Sequence, residues 1–213
     1  ENSTVSYNRV LDVNNPNSDW KMAIQNYQSS QNAVVNYNYI DIRASNGNTY
    51  GIEVYDSEVR GDTILVYAGG GCCTRTARAI QSGRSIIEDN YIEASSTGCS
   101  CGSGGGAIEC WSDASNRSSI RNNTIYCEGY SSGIFANYAD IENNHIERLN
   151  YQYGWAMGQG DYNVIRNNTI IDMQEGIDLN NRFSTVVDSN VISVDGTAIY
   201  GWDADSLIIT NNT

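Results

Sequence analysis

The sequence predicts an all-β solenoid, a coil of about eight or nine turns, each contributing three short strands. Three observations predict it. The motif "IRNNTI" at residues 120–125 returns as "IENNHI" at 141–146 and as "IRNNTI" at 165–170. Apolar and polar residues alternate between its copies. The composition favours turns and strands over helices, with charged residues at only 17% and the deficit filled by Asn, Ser, Thr, Gly and Tyr.

Self-similarity at a fixed period signals stacked repeats. Anchoring on the Asn or Asp before a small or polar residue and then Ile or Val gives Asn8, Asn38, Asp62, Asn90, Asn123, Asn144, Asn168, Asn190 and Asn212. The successive spacings are 30, 24, 28, 33, 21, 24, 22 and 22 residues. Turns 1–118 are irregular and carry polar inserts such as "NNPNSD"; turns 119–213 are nearly regular, and the whole of 1–213 reads as one domain.

Each unit also carries a second signature of a small residue before Ile: "GIEVY", "RAIQS", "GAIEC", "SGIFA", "EGIDL", "TAIYG". Period-two alternation marks strands with one buried face. Three strands within about 22 residues leave no room for helices or for hairpins inside a unit. Each turn must then pair in parallel with the turns above and below it.

The recurring Asn has two physical uses. Asn tolerates the left-handed region that a sharp corner needs. Stacked amides can also hydrogen-bond along the column. The expected corner ladder is Asn90, Asn123, Asn144, Asn168, Asn190 and Asn212. The flanking Ile residues point inward, so Ile125, Ile146, Ile170 and Ile192 are expected to form one buried stack.

The residue two before each anchor is expected on the outer face. Its charged members are Arg60, Glu88, Arg121, Glu142, Arg166 and Asp188, which alternate strictly in sign. Equivalent residues in adjacent turns lie about 4.8 Å apart, so alternation favours the native register.

These motifs resemble the right-handed parallel β-helix family, the superfamily of pectate lyases and related polysaccharide enzymes. The resemblance implies a right-handed parallel β-helix. It leaves function open, because the family spans lyases, hydrolases, epimerases, phage fibres and adhesins.

An active site of that kind would imply clustered carboxylates, often with calcium, and an Arg or Lys base. Asp172, Glu175 and Asp178 lie close together, Asp203 and Asp205 follow, and Arg166 and Arg182 offer guanidinium groups. Lys21 and His145 are single examples of their types, and His145 occupies the slot that Thr124 and Thr169 fill in neighbouring units. No motif indicates calcium or another cofactor, so neither catalytic nor metal residues are assigned. The 15 Tyr and four Trp suit a glycan-binding face, with Tyr37, Tyr39 and Tyr91 expected to project outward.

Six Cys are present: Cys72, Cys73, Cys99, Cys101, Cys110 and Cys127. Without a CxxC pair they are disulfide candidates rather than zinc ligands. A bridge is expected between the Cys72/Cys73 turn and the Cys99/Cys101 turn, whereas Cys110 and Cys127 share an inward phase that fits buried thiols or a pair. Disulfides imply an extracellular or cell-surface location. Sequons at Asn2, Asn116, Asn122, Asn167 and Asn211 are candidate glycosylation sites, three of them by-products of the NNT corner.

A net charge of −13 excludes a phosphate-binding surface of the nucleic-acid type, and no apolar run reaches bilayer length. The opening "ENSTVSYN" is not a signal peptide. The expected function is an extracellular structural or adhesive solenoid, with end-to-end association into filaments as one form of it. A polysaccharide lyase or hydrolase and a non-catalytic glycan-binding module are the alternatives.

Overall fold

A computed structural model describes residues 3–11, 20–26, 32–69, 76–97, 105–158, 160–180 and 182–213. Each repeat contributes one strand to each of three sheets, and all pairing between named strands is parallel. The first sheet runs from Thr4–Ser6 to Ile208–Thr210 in nine strands. The second runs from Arg9–Leu11 to Val191–Val194 in eight, and the third from Trp20–Gln25 to Ile199–Tyr200 in eight. Every strand pairs with its equivalent one turn away, which makes the chain a parallel β-solenoid.

The core is a set of inward columns. In the second sheet, Ile64, Ile92, Ile125, Ile146, Ile170 and Ile192 stand in register; all are fully buried except Ile192, which is partly covered. The first sheet contributes Val59, Ile87, Ile120, Ile141 and Ile165, and the third Ile52, Ile80, Ile108 and Ile134. The small residue before the third-sheet Ile now has a cause. A Cβ on Gly51 would lie 2.5 Å from the Ala79 carbonyl oxygen and 2.7 Å from Cγ2 of Ile64. Larger side chains there would collide with the Ile column of the second sheet.

The Asn column stands at the corner between the first and second sheets, but it is not the residue that turns it. The left-handed residue is the one before each anchor: Tyr7, Tyr37, Gly61, Asp89, Asn122, Asn143, Asn167, Ser189 and Asn211, at φ of 53° to 64°. The expectation that the anchor Asn itself is left-handed is therefore corrected by one position. The outward residue absorbs the turn, which frees the anchor to point inward; Asn38, Asn90, Asn123, Asn144, Asn168 and Asn190 are buried.

There they form a continuous chain of hydrogen bonds. The backbone N–H of each anchor donates to the side-chain oxygen of the next, from Asn8 to Asn212, at 2.7 to 3.1 Å. The side-chain amides donate back to the turn behind, as Asn123 does to the Ile87 carbonyl at 3.1 Å and Asn144 to that of Ile120 at 3.0 Å.

A second polar column lies at the corner between the third and first sheets. Ser57 accepts from the Ala33 N–H, Ser85 from Ser57 and Ser118 from Ser85, at 3.3, 3.2 and 2.9 Å. Asn163 does the same for Ala139 at 3.0 Å. Here too the preceding residues Asp56, Arg84, Tyr138 and Tyr162 are left-handed.

On the outer face of the first sheet Arg60, Glu88, Arg121, Glu142, Arg166 and Asp188 occupy consecutive rungs. Glu88 is almost buried and takes Arg60 on one carboxyl oxygen and Arg121 on the other, the latter at 2.5 Å. Arg166 pairs with Glu142 at 2.8 Å. Asp188 is held below the usual carboxylate range by hydrogen bonds from Thr210, at 2.8 Å, and Asn211, with Arg166 adding a smaller effect.

Three stability outcomes follow from these columns. Ile170→Ala removes a fully buried rung and is expected to cost about 2–5 kcal/mol in urea unfolding; a variant as stable as the parent would contradict the register. Glu142→Arg aligns three cations with Arg121 and Arg166 and is expected to cost about 1 kcal/mol, less in high salt. Glu88→Gln, which strips a nearly buried carboxylate from two guanidinium groups, is expected to cost about 1–3 kcal/mol and to respond less to salt.

Candidate functional site

The outer face of the second sheet carries the functional groups in two columns. One holds Asp41, Leu65, Glu93, Tyr126 and Glu147 in register. The other holds Arg43, Tyr67, Ser95 and Glu128. Period-two alternation places both outward, while Ile42, Val66, Ala94 and Cys127 between them face the core. In the first column acids alternate with apolar or aromatic residues, so no two carboxylates meet on adjacent turns.

Between the columns lies a cleft of about 130 Å³, lined by Asp41, Arg43, Tyr67, Glu93, Ser95 and Glu128. Its polar groups are held by neighbours. Arg43 Nε donates to Asp41 Oδ1 at 2.9 Å, and this bond raises the guanidinium above its ordinary value. Ser95 Oγ donates to Glu128 Oε2 at 2.9 Å. Tyr91 donates to Glu93 Oε1 at 2.6 Å, and the phenol is pushed up to about 12, chiefly by that bond. Lys21, nearly buried, donates to the Arg43 carbonyl at 2.8 Å and so fixes the strand that carries Arg43.

One end of the cleft is closed by a β-bulge. Cys127 pairs with Arg148, but Gly129 pairs with Gln152, so residues 149 to 151 lie opposite Glu128 alone. The extra residues push Leu149 and Tyr151 outward, about half exposed, beside Tyr153. Leu149 lines the cleft. Asn150 ties the bulge down by donating to Glu128 Oε1 at 2.6 Å. Tyr153 stacks on Tyr130 with ring centroids 5.1 Å apart, and Tyr151 meets Tyr153 edge-on at 6.0 Å. Bulges re-aim side chains in this way at sheet edges and next to sites.

The carboxylates singled out from the sequence are not assembled into one centre. Glu175 accepts from the Thr197 N–H at 2.6 Å, and Asp178, on the third sheet, accepts from the Asn180 N–H at 2.9 Å. Asp172 is left-handed at a β-bulge within the second-sheet strand Thr169–Met173, where the register shifts between Ile171 and Met173. Asp203 and Asp205 accept from Trp202 and Ser206. Arg166 lies on the outer face of the first sheet with Glu142, whereas Asp178 lies on the third sheet; the Arg182 carbonyl accepts from the Asp205 backbone N–H. Among the described residues, no three His, Cys, Asp or Glu side chains converge as a metal site.

His145 sits on the second sheet between Thr124 and Thr169, one-third exposed, its Nε2 2.9 Å from Glu147 Oε2. Tyr37 and Tyr91 project outward, and Tyr39 is half-buried.

Cys110 and Cys127 are free, fully buried thiols, so neither belongs to a disulfide. Cys110 faces inward from the third sheet in register with Ser82 and Ala136, and its thiol donates to Ser118 Oγ at 3.0 Å. Burial raises both thiols, Cys127 to about 12. Cys72, Cys73, Cys99, Cys101 and Asn2 lie outside the described residues. Asn116 is exposed in a turn, and Asn122, Asn167 and Asn211 are exposed left-handed corner residues.

Residues 70–213 match the family model of the right-handed β-helix region, and the chain belongs to that family. Neither a curated protein nor a solved structure matches it. No helix among the described residues is long and apolar enough to cross a membrane.

Sequence reasoning located the outward Tyr residues but missed the cleft and its bulge. The signal was present: the interval from Asn144 to Asn168 exceeds the preceding one by three residues, and "RLNYQY" breaks the alternation there.

Proposed function

We propose that the protein is an extracellular, adhesive β-solenoid that holds a glycan against the outer face of its second sheet without turning it over. The supporting observation is the cleft itself: a row of fixed hydrogen-bonding groups lined also by Tyr67 and Leu149, beside the bulge that exposes Tyr151 and Tyr153. Concave sites with a few convergent polar groups and aromatic walls are the usual form of small-ligand sites. Tyr offers an apolar ring face for a sugar and a hydroxyl for its rim.

Charge narrows the ligand class. Among the described residues the cleft carries Asp41, Glu93 and Glu128 against Arg43 alone, and that guanidinium is already engaged by Asp41. A polyuronate would bring like charge to this surface, whereas neutral or amino-bearing sugars would not. The lyase alternative draws no support from Arg166 and Asp178, which lie on different faces.

The test is a glycan array with the intact protein, followed by titration of any captured sugar. Neutral or amino-bearing glycans are expected to be retained unchanged, and polyuronates ignored. Tyr151→Ala with Tyr153→Ala, which strips the exposed aromatic rings beside the cleft, should weaken binding by about 10-fold. Release of shortened products, or affinity indifferent to both tyrosines, would overturn the proposal.

A further inference from the structure

One rung of the corner ladder differs from the rest. Asp62 takes the place of an Asn, with 1% of its surface exposed. Its Oδ1 does what the amide oxygens do, accepting from the Asn38 backbone N–H at 2.7 Å and from Asn38 Nδ2 at 2.9 Å. Its Oδ2 has no hydrogen-bond partner among the described residues.

The neighbouring rungs show what surrounds that atom. In an Asn rung the Nδ2 group donates forward to the next side-chain oxygen, as Asn90 does to Asn123 at 2.9 Å. It also donates back to the carbonyl three positions before the anchor of the preceding turn: Asn38 to Val5, Asn90 to Val59, Asn123 to Ile87. The equivalent acceptors at Asp62 are Asn90 Oδ1, already bonded to the Asp62 N–H at 2.9 Å, and the Val35 carbonyl. An ionised Oδ2 would meet only lone pairs there. A protonated Oδ2 has a hydrogen for one of them.

We propose that Asp62 is carried in the ladder as the neutral acid, its Oδ2–H standing in for an amide N–H, so that the junction between the second and fourth rungs is a proton-dependent joint. Among the described residues no charged side chain faces the carboxyl. Above and below it are the neutral Asn38 and Asn90. On the first sheet, Arg60 and Glu88 pair with each other outside, and Glu58 lies beside Arg60. Asp89 is exposed at the next corner, and Asp41 and Glu93 lie on the outer face of the second sheet. Burial accordingly raises the carboxyl from 3.8 to about 6, opposed only by the two hydrogen bonds from Asn38.

The sign is that of an acid whose pKa is higher folded than unfolded. Its contribution to stability is complete below pH 3.8 and is lost as pH rises to about 6. Beyond that, the folding equilibrium is weighted against the native state by about 100-fold, the ratio implied by those two values.

The test compares parent and Asp62→Asn by urea unfolding from pH 4 to pH 8. Other carboxylates titrate in both proteins, so the difference between them isolates this rung. The two are expected to be alike near pH 4, with the variant's folding constant larger by about 100-fold at pH 7.5. A difference that stays flat across the range would overturn the proposal. Should Asp62→Asn not fold, carbon-13 NMR of the Asp62 carboxyl in the parent decides instead: a midpoint near 6 supports the neutral rung, and one near 4 rejects it.

Discussion

The structure depends on one hydrogen bond repeated along the axis, from the backbone N–H of an anchor residue to the side-chain oxygen of the anchor one turn on. A corner in a tight coil leaves backbone groups that the sheets on either side cannot reach, and each would be costly if buried unpaired. The anchor side chain supplies the missing acceptor, and its own Nδ2 group supplies a donor to the turn behind. The ladder thereby satisfies the corner and fixes which turn lies against which. A slip of one residue would expose every Ile beside it.

The other columns are consequences of that registration. Because Asn123 and Asn144 are bonded, Ile125 must meet Ile146, and Arg121 must meet Glu142. The small-then-Ile signature of the third sheet then follows, since the Ile column of the second sheet occupies the space a larger side chain would need. Sign alternation in the charge column is the electrostatic counterpart. In a parallel stack each residue faces its own equivalent, so like residues are always brought together.

This explains what could be read from the sequence and what could not. The three-sheet coil, the inward Ile residues and the outward charges all follow from spacing, because one anchor per turn determines every position within a few residues of it. The left-handed residue was misplaced by one because Asn fits either slot of "NN"; Tyr7 and Tyr37, which hold that slot without being Asn, carry the distinction. The Ser column escaped notice because Ser57, Ser85 and Ser118 fill only three successive rungs, with Ala33 before them and Ala139 after, which accept nothing through their side chains. The cleft was hidden for a different reason: it is built where the repeat is broken, and a search for regularity discards the irregular residues 149 to 151.

That break is tolerable because of where it falls. Glu128 and the bulge lie toward the far end of the second-sheet strand, past the Ile125–Ile146 pair and the Asn123–Asn144 rung that hold the two turns together. The register is settled before the chain reaches the bulge, so extra residues there cost local pairing without disturbing the stack. Beyond the last inward pair the outer face is free to vary, and Leu149, Asn150 and Tyr151 use that freedom. A solenoid of this kind separates its two tasks by position along each strand: residues beside the corner specify the fold, and residues far from it specify the surface.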